Sequence, residues 1–392
     1  MDPEESTQFN NRTPVLSSED SNLPLSTSIP AVVIYGILIA TTVIGNLFVI
    51  ISYFQDRKLR QRPANLIILN LAFADLIVGL VPLTVNLTII VSGRWLFGEY
   101  FCRLYRVIDY LAVYVSVVMI VFISIDRYLL VTKPIKHRLL VTRKRVRYAI
   151  MSAWITYFTV FVLLSFGWTT FGGQKETMDY SHECLMEYLG NPFVTLTVSL
   201  IGFFIPFSSV AFLNVLIFVN IKRQFDKFQV ITINRNVDEK TEYRVNQECP
   251  ANMYDVKGDK DDNNHQRRSF RLSSTSQRDN TSMNTQTVSQ AIYMNATPNT
   301  KFDQFTSVRL QKNIIIAKKL ALVVMVFGVC CLPYEICTIA NAICKEKCTS
   351  NLAWDITENI QWANSGINPI LYAFTIVQFK KNFVRLFRCR SN

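Results

Sequence analysis

Residues 109–128 read DYLAVYVSVVMIVFISIDRY: an aspartate, 16 residues without a charge, then Asp126-Arg127-Tyr128. At 1.5 Å per residue in a helix, the step from Asp109 to Arg127 is about 27 Å, close to the roughly 30 Å of a hydrocarbon layer. One helix of this stretch presents an anion near one membrane face and a cation near the other. Intramembrane charges cost at least about 2.5 kcal/mol on insertion scales, so each of them is a functional candidate.

Working outward, apolar runs of spanning length lie at about 31–54, 65–90, 102–132, 148–168, 191–221, 314–343 and 353–377. Only helices or closed barrels satisfy their own backbone in lipid, and these runs lack the alternation of barrel strands. The expected fold is an all-α membrane protein, a bundle of seven transmembrane helices. After the seventh, Phe379-Lys380-Lys381-Asn382-Phe383-Val384-Arg385-Leu386-Phe387 places apolar residues on one face and cations on the other, which predicts a short amphipathic helix lying on anionic lipid. Cys389 behind it is a palmitoylation candidate.

Composition excludes several alternatives. Charged residues make up 18% of the 392, against roughly 25% in a soluble domain, which argues against an ordinary cytosolic enzyme. With 13 glycines a nucleotide-binding α/β fold is unexpected, and with three His no metal centre is expected. The 41 Lys and Arg against 29 Asp and Glu flank the apolar runs, so they read as membrane orientation and not as a nucleic-acid surface.

Orientation follows from the short loops. Arg57, Lys58, Arg60 and Arg62 follow the first run; Lys133, Lys136, Arg138, Arg143, Lys144, Arg145 and Arg147 follow the third. Both loops are expected in the cytoplasm, with the N-terminus outside and the C-terminus inside a plasma membrane. The expected organisation is an extracellular disordered N-terminus at 1–30, the first five helices in 31–223 and a long disordered cytoplasmic loop at 224–309. The last two helices then fall in 310–377, and the amphipathic helix and tail in 378–392. No cleaved signal is expected, because a polar segment without a basic start precedes the first run. Asn11-Arg12-Thr13 is a glycosylation sequon on the outer side.

Asp109 sits in the outer half of its helix, and no Lys or Arg is expected in the outer half of any span to pair with it. Its expected neighbours are Tyr110, Tyr114, Tyr334 and Trp362. A carboxylate among aromatic rings suits an ammonium ligand, through charge pairing and cation–π attraction. Pro333 removes a backbone hydrogen bond from the sixth helix and predicts a hinge, and Pro369 does the same in the seventh.

These marks together resemble a rhodopsin-like, class A G-protein-coupled receptor. Gly45-Asn46, Leu71-Ala72 with Asp75, Trp95, Cys102, Asp126-Arg127-Tyr128, Trp154, Pro206, Phe327 with Pro333, and Asn368-Pro369 with Tyr372 stand in the family's order and spacing. Asp109, eighteen residues before Arg127, matches the amine-binding aspartate of the biogenic-amine subfamily. The chain is most similar there to histamine receptors of the third and fourth subtypes, then to muscarinic acetylcholine receptors.

The resemblance implies a cell-surface glycoprotein receptor, not an enzyme, that binds a small cationic amine and signals to a heterotrimeric G protein of the inhibitory class. Arrestin, receptor kinases and membrane lipid are the further implied partners. It implies ligand contacts at Asp109, Tyr110, Val113, Tyr114, Ser199, Tyr334, Glu335, Glu358 and Trp362. Coupling and switching fall to Asp126, Arg127, Tyr128, Phe327, Pro333, Asn368, Pro369 and Tyr372. No cofactor is implied beyond an allosteric sodium ion at Asp75, Ser116, Asn364, Ser365 and Asn368. A disulfide from Cys102 to Cys184 is implied, and Cys344 and Cys348 are expected to close a small outer loop.

The departures matter as well. Gly202 stands where those histamine receptors carry a glutamate, Cys331 replaces a switch tryptophan, Asn359 replaces a pocket tryptophan, and Asn313 replaces an acid that locks the motif arginine. The gap at Gly202 is expected to leave room for a ligand ring, with Glu335 as the substitute acid, which favours histamine or another dibasic amine. A transporter is the rival class; seven spans without an inverted repeat weigh against it.

Overall fold

The computed structural model describes residues 25–170, 172–173, 180, 183–248, 301–344 and 348–388. Among them every regular element is helical. Asn11, Cys389 and most of the long loop lie outside the described residues.

The main helices are α1 (Leu25–Gln55), α2 (Ala64–Ser92), α3 (Gly98–Thr132) and α4 (Arg143–Phe166). The fifth, α5, runs as Pro192–Ser199, a π turn Leu200–Phe204 and Ile205–Glu248. Then come α6 (Lys301–Cys344), α7 (Asn351–Thr375) and α8 (Val377–Arg388). Short helices Arg57–Gln61 and Pro134–Leu140 join α1 to α2 and α3 to α4.

The chain divides into two compact units, residues 1–220 with 314–392, and residues 221–313. The first is the helix bundle. Its core is apolar and close-packed around Val49, Leu71, Met119, Ile120, Phe203, Phe327 and Tyr372. Large apolar side chains such as Ile37, Phe158, Phe212 and Val329 point outward, as lipid-facing positions should. The second unit differs from expectation at both ends of the long loop: α5 continues to Glu248 and α6 begins at Lys301. Residues 207–248 contain neither glycine nor proline, and Pro250 is the first breaker, so backbone hydrogen bonding has no reason to stop at the membrane surface.

Six helices among the described residues are long and apolar enough to cross a membrane. The seventh member, α7, is more polar because its polar residues face inward. Glu358, Gln361, Asn364, Ser365 and Asn368 recur every three or four residues and are all buried. Asn46 of α1 donates to the Ser365 carbonyl at 3.1 Å, and the Pro369 ring fills the space beside Gly45, where a Cβ would stand 2.9 Å from it. These contacts seat α7 against α1, and Asn368 reaches Asp75 of α2, so that the polar stripe lines the bundle interior. Beyond α7, α8 buries Phe379 against Tyr372 and sets half-buried Phe383 against Phe48, leaving Lys380, Lys381 and Arg385 exposed.

Candidate ligand-binding and coupling site

Two disulfides mark one end of the bundle, Cys102–Cys184 and Cys344–Cys348, both as expected. The first ties the loop before α5 to the first turn of α3, and Trp95 and Tyr105 pack around it. The same loop is held by Arg103, whose guanidinium lies 2.5 Å from Glu187. Tyr180 donates to that Glu187 at 2.8 Å, and burial together with this bond pushes the Tyr180 hydroxyl up to about 12.

One turn further in, Asp109 is buried, and its surroundings correct the sequence reading. Arg106, three residues earlier on the same face of α3, places Nη1 3.2 Å from Asp109 Oδ2 and 2.8 Å from Glu358 Oε1. Its Nε and Nη2 both donate to the Cys184 carbonyl, at 3.0 and 2.8 Å. Trp362 Nε1 donates to Asp109 Oδ1 at 2.9 Å. Asp109 therefore has a basic partner and a donor on each oxygen. Two carboxylates against one guanidinium leave this buried cluster with a formal charge of −1.

Beside this cluster the surround is aromatic. Tyr110 and Tyr334 share a hydrogen bond at 3.1 Å, Tyr110 stacks toward Tyr114, and half-buried Val113 packs beside them. Deeper in the bundle, Tyr114 donates to Glu335 Oε1 at 3.4 Å, and Ser199 also bonds that carboxylate. Glu335 is 1% exposed, and its Oε2 has no hydrogen-bond partner among the described residues.

Gly202 lies on the π turn of α5, and here a second expectation fails. A Cβ built there would stand 2.1 Å from Tyr114 Cε1. The Tyr114 ring occupies the space, so the corner is filled by the protein's own ring and is not an open vacancy. The glycine is what lets α5 approach α3 this closely.

Two further groups lie deeper. Asp75 accepts from Asn368 at 2.8 Å, from Ser116 at 3.5 Å and from Ser365, with Asn364 buried on the same helix. Near them Phe327 packs against Phe203 and Phe207, below Cys331 and the Pro333 turn. At the far end Asp126 lies 3.7 Å from Arg127 and 2.8 Å from His137 Nε2, a partner that the sequence reading omitted. Tyr128 is half-buried, and the buried Tyr372 hydroxyl has no hydrogen-bond partner among the described residues.

The departure at Asn359 also has a local cause. Asn359 accepts from Tyr35 of α1, whose hydroxyl accepts from Asn86 of α2 at 2.8 Å. A polar tie among three helices stands where the family pattern has an indole.

The family model for 7 transmembrane receptor (rhodopsin family) matches residues 45–372. The chain belongs to that family. Membership makes it a multi-pass membrane receptor and not an enzyme, and the seven-helix bundle is the family's fold. The chain is similar to the histamine H4 receptor of Homo sapiens, 26% identical over 389 residues, covering 93% of this chain and 94% of that one. It is also 34% identical over 178 residues to the muscarinic acetylcholine receptor M3 of Gallus gallus, covering 45% of this chain and 27% of that protein. The Pongo pygmaeus M3 receptor is 34% identical over 171 residues, covering 44% and 28%. The chain thus spans little more than a quarter of the muscarinic relatives it matches, but nearly all of the histamine one. Both kinds of relative are named for amines, so the resemblance is to aminergic receptors.

Proposed function

We propose that this protein is a plasma-membrane receptor for a small cationic amine, bound at the disulfide end of the bundle and read out by a G protein at the Arg127 end. The observation that carries the reading is the buried Asp109 carboxylate, which sits with Glu358 in a cluster of net negative charge lined by Tyr110, Tyr334 and Trp362. A cation entering this site gains charge pairing and ring contacts that water does not supply. The ligand changes the receptor's state only through differential affinity for two arrangements of α5, α6 and α7. Glu335, beside Pro333, and Trp362, on α7, are the pocket residues placed to express that difference.

Histamine or another dibasic amine is the favoured ligand, because Glu335 Oε2 is buried without a hydrogen-bond partner among the described residues and a second cation satisfies it. Near-complete coverage of the histamine H4 relative supports this choice, whereas the higher identity to muscarinic relatives over a shorter span makes acetylcholine the competing ligand. Coupling to the inhibitory class of G protein, regulation by arrestin and receptor kinases, and an extracellular N-terminus belong to the same reading. So does a sodium ion: the Asp75 carboxylate and the Ser116 and Ser365 hydroxyls beside it offer hard oxygen donors, with Asn364 and Asn368 on the same helix as Ser365, which fits a monovalent cation that stabilises the resting receptor.

The test is a G-protein activation assay on membranes holding the full-length receptor, with histamine, a linear diamine, acetylcholine and 2-phenylethylamine in parallel. Saturable activation by amines, strongest for the dibasic ones, supports the reading. A response to acetylcholine alone moves the chain to the muscarinic side, and silence to every amine rejects the class.

A further inference from the structure

Arg106 binds the carboxylate that an incoming amine needs. Arg106 is 7% exposed, and its guanidinium is held by four hydrogen bonds, two to the Cys184 carbonyl at 3.0 and 2.8 Å, one to Glu358 at 2.8 Å and one to Asp109 at 3.2 Å. The Tyr105 ring lies 5.2 Å from its central carbon. The bond to Asp109 is the longest of the four. Cys184 cannot retreat, since its disulfide to Cys102 fixes it to the first turn of α3, one turn outward from Arg106.

We propose that Arg106 is a tethered competitor for the amine subsite and a determinant of which amines the receptor accepts. In the ligand-free arrangement it neutralises Asp109. When an ammonium arrives, the guanidinium keeps Cys184 and Glu358 and surrenders only its longest bond, so the exchange costs one charge-assisted contact of four. The arriving cation then stands close to a second cation in a water-poor site, where like charges repel strongly. A monobasic amine has only Asp109 to offset both effects. A dibasic amine has Glu335 as well, deeper in the bundle beside Tyr114, and the Glu335 Oε2 has no hydrogen-bond partner among the described residues. Arg106 therefore raises the threshold for every amine and leaves dibasic ones as those that pass it. This inference rests on the amine reading of the site and adds its selectivity.

The test compares the parent with Arg106→Lys and with the double variant Arg106→Gln/Glu358→Gln, using 2-phenylethylamine and histamine as probes in G-protein activation. Arg106→Gln alone brings two unpaired carboxylates together and risks misfolding. The double variant keeps the cluster at −1 while removing the resident cation, and surface expression is measured alongside. Asp109→Asn is made in both backgrounds.

The double variant is expected to lower the half-maximal concentration of 2-phenylethylamine at least tenfold, to move histamine less, and so to shrink the ratio between them. Arg106→Lys is expected to keep the parent's preference. A merely structural arginine predicts the opposite, a loss of potency for both probes in the double variant. If Asp109→Asn abolishes both responses and the ratio does not change in the double variant, the competitor role is overturned while the amine site stands. If responses survive Asp109→Asn, the amine site itself is overturned. Silence to both probes in every background contradicts the two together.

Discussion

The Tyr114 ring stands where a side chain at position 202 would begin, 2.1 Å from a Cβ built on Gly202. The two residues are therefore a matched pair: the glycine allows α5 to close on α3, and the tyrosine fills the gap and reaches Glu335. Adding a methyl group forces this ring aside, and overpacking of this kind costs about 1–3 kcal/mol. Gly202→Ala is expected to lower the melting temperature of the detergent-solubilised receptor, and Gly202→Ala/Tyr114→Leu to recover part of the loss. Equal melting temperatures in the parent and Gly202→Ala refute the pairing.

Glu335 carries a carboxyl group into an interior where, among the described residues, its Oε2 has no hydrogen-bond partner. An isolated buried charge is costly, so neutralising it removes a penalty in the empty receptor. Glu335→Gln should leave the ligand-free melting temperature equal or higher, while histamine potency falls at least about tenfold, a step that corresponds to 1.4 kcal/mol. A variant that is less stable when empty and responds normally to histamine contradicts this role.

At the other end, His137 occupies one oxygen of Asp126 at 2.8 Å, and Arg127 approaches the other at 3.7 Å. Removing the imidazole makes both oxygens available to the arginine and restrains it more firmly. His137→Ala is therefore expected to lower agonist-free nucleotide exchange on the G protein. Unchanged or higher basal exchange argues that the histidine does not share Asp126 with Arg127 in the signalling cycle.

Asp56 joins three pieces of chain: it caps the short helix after α1 through the Lys58 amide at 2.8 Å, and it accepts from Gln378 and Asn382 of α8. Burial pushes its carboxyl up, but these donors outweigh it and hold the group below the ordinary aspartate range. A depressed carboxyl contributes stability above its unfolded value and loses it as pH falls through the folded one. Asp56→Ala, by losing a cap alone, should cost about 1 kcal/mol at neutral pH. The difference from the parent should vanish in acid, as followed by hydrogen exchange of α8.

Much of this architecture was legible before the structure. Charge at 109 and 126–127 bounded one span, and the proline and asparagine positions of α6 and α7 placed the inner marks. What escaped depended on neighbours from other elements or on a prior that misled. Arg106 has the spacing of three from Asp109 that signals a helical ion pair, but its bonds to Glu358 and the Cys184 carbonyl come from other elements. Gly202 was misread because a missing side chain looks like space in one dimension, whereas Tyr114 comes from another helix. His137 lies on the short helix after α3, eleven residues from Asp126, where no periodicity links the two. At the ends of the long loop polarity suggests a disordered segment, whereas the absence of helix breakers lets α5 run on to Glu248.

The central claim is that Asp109 receives the ligand's cation, and Asp109→Ala tests it most directly. The variant should reach the cell surface, because Arg106 retains Glu358 and Cys184. Losing one partner of a buried charged pair typically costs about 2–5 kcal/mol, so the half-maximal concentration of the activating amine should rise at least about 30-fold. An expressed variant with the parent's potency would contradict the account.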